Sequence, residues 1–109
     1  MGMNNIENPA PSQYVVISTA TTTTIQVGVG AVCDGVIVSV AGTGSAVTIY
    51  DNNAASGTIL VNAAATTTAN TFIPCGPGDG VAVKSGYLTY VTTGSPAATI
   101  LGLYEPSLP

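Results

Sequence analysis

Histidine, arginine and tryptophan are missing from this 109-residue chain, and Lys84 is its only basic residue. Each absence excludes a class of chemistry. A serine or cysteine nucleophile has no imidazole to activate it. No guanidinium can clamp an oxyanion or a phosphoryl group. Nucleic-acid binding rests on neutralising phosphates with cations. With five carboxylates and a net charge of −4, direct DNA or RNA binding is excluded, and anionic membrane surfaces are disfavoured. One Phe and five Tyr leave few rings on which a sugar could stack. Charged residues make up 6% of the chain, against about a quarter in an ordinary soluble protein. Thr, Ser and Asn must therefore supply the polar surface, or partners must cover it.

Long apolar runs are missing too. Mean hydropathy is positive, yet Thr, Ser, Asn and Gly interrupt every stretch before it reaches the roughly 18 residues of a membrane helix. The opening MGMNNIENPAPS has neither a basic segment nor an apolar core, so no signal peptide and synthesis in the cytoplasm are expected. Ile6 stands where a myristoylation signal needs Ser or Thr.

The stretch CGPGDGVAVKSGYLTYV, Cys75 to Val91, looks at first like a phosphate loop. Such a loop needs glycine directly before Lys-Ser and a helix beginning there. Val83 precedes Lys84, and Val81 and Val83 alternate as in a strand. GPGDG therefore reads as a turn, and Ser85-Gly86 as a tight hairpin connection.

What is present is enough to fold. Hydrophobic residues make up 46%, and the length fits one domain with one core. Residues 1–12 are polar and hold Pro9 and Pro11. They read as an extended arm, ordered only by a partner, and 106–109 read as a similar tail. Between them, residues 13–105 carry short strand signals at 14–18, 23–27, 36–41, 46–50, 58–62, 71–73, 81–84, 87–92 and 98–104, separated by turn residues. NAAATTTAN, 62–70, reads as a loop. Eight or nine short strands without helical periodicity predict an all-β, antiparallel β-sandwich. Alternation assigns Val36, Val38, Val40, Val47, Ile49, Ile59 and Val61 to the core. Several strands are apolar on both faces: Ile100 points one way, Leu101 and Leu103 the other. A sandwich buries one face of each sheet, so the second apolar face predicts a homo-oligomer.

The carboxylates offer little chemistry. Glu7 and Glu105 lie near the ends. Asp34, Asp51 and Asp79 precede Gly or Asn, the usual setting of a turn-forming Asp. No pair is marked as an acid and base facing across a cleft. YDNNAAS lacks the alternating ligands and closing Glu of a calcium loop. No cofactor, metal site or catalytic residue is expected. Cys33 and Cys75 are compatible with one disulfide, but a reducing cytoplasm favours two free, buried thiols.

GVIVSVAGTGSAVTIYDNNAASGTIL, followed by GDGVAVKSGYLTYVTTGSPAATILGLYEP, resembles small β-sandwich structural proteins of tailed bacteriophages, of the head decoration (cement) or minor virion type. The shared pattern is a VTIYDN…SGT strand–turn–strand, a GYLTYVTTGS hairpin and an alternating last strand ending at Tyr104. It covers most of 36–105, and its motifs concern packing and turns. The resemblance implies a jelly-roll-like subunit, often trimeric, on the outside of a capsid and bound to the major capsid protein. Ile6, Pro9 and Pro11 of the arm would then lie along a neighbouring subunit or the capsid floor. The competing expectation is a carbohydrate-binding or adhesin module.

Overall fold

The computed structural model describes residues 12–42, 44–64, 69–76, 80–94 and 98–107. Nine strands occur among them: β1 (Gln13–Ile17), β2 (Thr22–Gln26), β3 (Val32–Val40), β4 (Ala46–Asp51), β5 (Thr58–Ala64), β6 (Thr71–Pro74), β7 (Val81–Ala82), β8 (Tyr87–Thr93) and β9 (Thr99–Glu105). No helix is found among these residues, so none is long and apolar enough to cross a membrane. β-Branched residues at alternate positions favour a pleated, half-buried surface, and the expected spans fall on the observed strands.

The antiparallel pairs are nested: β1 with β9, β2 with β8, β3 with β6, and β4 with β5. This is one long double-stranded hairpin whose tip is the loop at 52–57. Rolling the hairpin brings β9 onto β3 and β8 onto β4. It thereby divides the strands into two antiparallel sheets, β1-β9-β3-β6 and β2-β8-β4-β5. Short β7 pairs with the start of β3, beyond β6. The order is that of a jelly roll.

The core lies between the sheets. Val36, Val38, Cys33, Ile100 and Ile17 come from the first sheet, and Val47, Ile49, Val61, Leu88 and Tyr90 from the second. Two expected core residues do not belong to it: Val40 and Ile59 are about half exposed, at 56% and 48%. β-Bulges displace both. Val38 pairs with Ile100 and Val40 with Thr99, leaving Ser39 as the extra residue. Val61 pairs with Ile49 and Ile59 with Tyr50, leaving Leu60 extra. One added residue sends the rest of the strand's side chains to the opposite face.

Other expectations change as well. β3 starts at Val32, so Asp34-Gly35 is a bulge inside a strand, opposite Leu103 and Tyr104, and no turn precedes the strand there. β5 runs on to Ala64, into the segment read as a loop. Ser85-Gly86 does not close a hairpin: β7 belongs to the first sheet and β8 to the second. The link crosses between sheets because Val83 N–H donates to the Ala31 carbonyl, while the Gly86 carbonyl accepts from Val27 and Gly28. The GYLTYVTTGS segment likewise pairs with β2 and β4 and makes no local hairpin. The tail begins docked, since Ser107 N–H donates to the Val27 carbonyl at 3.0 Å.

Cys33 and Cys75 are joined by a disulfide, both fully buried, which corrects the expectation of free thiols. β3 and the end of β6 are neighbours, and their hydrogen-bonded register sets the two Cα atoms 6.2 Å apart, within bonding reach. A compartment argument cannot see that proximity.

Candidate functional site

Lys84 and Ser85, the pair that suggested a phosphate loop, do hold an anion through their backbone, and it is internal. Asp51, at the end of β4, accepts from Lys84 N–H through Oδ2 and from Ser85 N–H through Oδ1, each at 2.9 Å. Partial burial alone would raise the Asp51 carboxyl. Hydrogen bonds from the Ser85 side chain and from both amides, with Lys84 nearby, outweigh it and hold the pKa below the usual value. Ser85 Oγ also accepts from the Tyr87 N–H at 3.1 Å. The cluster fastens the crossover link to the second sheet.

The remaining carboxylates are dispersed. Asp34 sits in the β3 bulge, against Gly80. Asp79 lies outside the described residues, as do Glu7 and the arm residues Ile6, Pro9 and Pro11. Among the described residues, no three of His, Cys, Asp and Glu come together as a metal-binding group. Asn52 donates to the Ser56 carbonyl at 2.9 Å and closes the loop at the hairpin tip.

The chemistry of the molecule is concentrated on its two outer faces, and they differ. On the first sheet, cross-strand register aligns Val16, Leu101, Ile37 and Phe72 in one row across β1, β9, β3 and β6. A second row holds Tyr14, Leu103, Gly35 and Pro74. Tyr14, Val16 and Phe72 are 62%, 54% and 51% exposed. Ile37, Leu101 and Leu103 are half-buried and do not pack against the core. On the second sheet the corresponding row is Thr22, Val91, Thr48 and Asn62. Beside it, Thr24 and Thr89 share a hydrogen bond of 2.9 Å, and Thr89 Oγ1 donates to the Asn52 carbonyl. One face is aliphatic and aromatic; the other mixes Val91, Tyr50 and Ile59 with threonines, of which Thr24 and Thr89 bond to each other.

The alternation of single strands showed that some were apolar on both sides. The row could not be read in advance, because it joins residues from 16 to 101 through pairings that sequence does not display. No protein-family model matches the chain, and no curated protein and no solved structure matches it either.

Proposed function

We propose that the chain is a non-enzymatic structural subunit of a virion. It would decorate and stabilise the outside of a bacteriophage capsid as a homo-oligomer, a trimer by the resemblance. The observation that carries this reading is the apolar outer face of β1-β9-β3-β6: a contact surface without catalytic side chains. Capsid subunits use the jelly roll, but so do lectins and enzymes. The resemblance over 36–105 supports the capsid reading, and the absence of histidine and arginine fits it. The partner is then the major capsid protein, with the arm carrying Ile6, Pro9 and Pro11 as the attachment element. Many weak arms acting together bind tightly where one would not.

Co-sedimentation with particles of the phage that encodes the chain tests this. The full chain is expected to pellet with capsids. A variant lacking residues 1–12 is expected to remain a folded oligomer and to pellet less. Absence of binding by the full chain would reject the capsid reading, and undiminished binding by the shortened chain would reject the role of the arm.

A further inference from the structure

From the outer face of β1-β9-β3-β6 we infer where copies of this chain meet: the row Val16, Leu101, Ile37 and Phe72, with Tyr14 and Leu103 beside it, docks against a second copy. The inference rests on the homo-oligomer proposed above and assigns its contact surface; two like faces closing on each other make a two-fold pair, where the resemblance implied a trimer.

Width argues for this occupant. Four strands at about 4.8 Å spacing make a face about 19 Å across. A helix, about 10 Å in diameter, would cover half of it, and an added extended segment about a quarter. Another sheet face of the same width closes all four strands at once, and a second copy supplies one. The area is sufficient. Strands of four to nine residues, about six on average, at about 3.3 Å each give on the order of 400 Å² in plan. Two such surfaces, with side-chain relief, remove roughly 1,000 Å² from water, where specific interfaces begin.

Charge points the same way. Among the described residues of β1, β9, β3 and β6 the charged groups are Asp34, at the bulge, and Glu105, at the end of β9. Neither lies in the apolar row. Two copies, each carrying −4, can therefore approach through this face without opposing like charges. The second sheet is a poorer candidate: its hydroxyls already bond to one another and to the Asn52 loop.

Sedimentation velocity at micromolar concentration tests the inference. Val16→Glu with Phe72→Glu places carboxylates at both ends of the apolar row, and Thr22→Glu with Asn62→Glu does the same on the opposite sheet. The wild type and the Thr22/Asn62 variant are expected to sediment as the oligomer. The Val16/Phe72 variant should keep its far-UV circular dichroism and fall to the monomer mass. Should the glutamates prevent folding, Val16→Thr with Phe72→Thr preserves strand propensity and should weaken association at least tenfold. A monomeric wild type, dissociation by the Thr22/Asn62 pair, or undiminished association of a folded Val16/Phe72 variant would each overturn the assignment. An intact oligomer that ignores capsids would reject the virion reading and leave this one standing. A monomer that binds capsids would do the reverse.

Discussion

Tyr90 lies between the sheets, fully buried, with its ring over Gly102. A Cβ at Gly102 would stand 2.6 Å from that ring, so glycine in the middle of β9 is a packing requirement. Gly102→Ala should cost about 1–3 kcal/mol by overpacking. The Tyr90 hydroxyl reaches no hydrogen-bond partner among the described residues. Burial, with Tyr104 and Asp34 adding to it, raises its pKa well above the ordinary 10.0. The folded chain then keeps a proton that the unfolded chain releases, so this contribution is intact below pH 10 and declines as pH rises beyond it. Tyr90→Phe removes an unpaired polar group and should leave stability unchanged or raise it by about 1 kcal/mol. It should also make the alkaline loss shallower. Urea unfolding at neutral pH and above pH 10 measures both. A loss above about 2 kcal/mol at neutral pH would mean that the hydroxyl has a partner after all.

At the scale of the element, the strands were legible because each is a local pattern: β-branched residues at alternate positions, ended by Gly, Asn or Asp. The bulges at Asp34, Ser39 and Leu60 were not, because a bulge is a relation between two strands. Val40 and Ile59 look like core residues within their own strands, and their partners decide otherwise. The same reason hid the crossover at 83–86, which is set by hydrogen bonds to Val27, Gly28 and Ala31, and the disulfide, which joins positions 42 apart. Two predictions belong here. The disulfide closes a separation of 42 residues; by loop entropy, replacing both cysteines with alanine should cost about 3–4 kcal/mol, read as a lower urea midpoint. Asp51 fastens the crossover through two amides. Its depressed carboxyl stabilises the fold above the ordinary value of 3.8. That contribution is lost as pH falls through the lower, folded value. Asp51→Asn should cost about 0.5–1.5 kcal/mol at neutral pH and flatten the acid limb of the stability curve. An unchanged acid limb would remove Asp51 from this role.

For the whole molecule, the governing facts are few charges and one uncovered apolar sheet face. The scarcity of charge is plain in the composition; the row that makes it consequential appears once β1, β9, β3 and β6 are side by side. An assembly closed by that face has a definite response to salt. Ion-paired interfaces weaken as ionic strength rises, because the screening length falls from about 10 Å at 0.1 M to about 3 Å at 1 M. An interface of Val, Leu, Ile, Phe and Tyr has no ion pairs to screen, and salting-out anions such as sulfate strengthen apolar burial. The copies also repel each other weakly through their net charge of −4, and salt removes that repulsion. Both effects act in one direction. Raising sodium sulfate at fixed protein concentration should therefore hold or tighten the oligomer, with dissociation favoured at low ionic strength. Sedimentation equilibrium across a salt series gives the association constant directly. An association that weakens steadily with salt would place the contact on charged groups outside the apolar face.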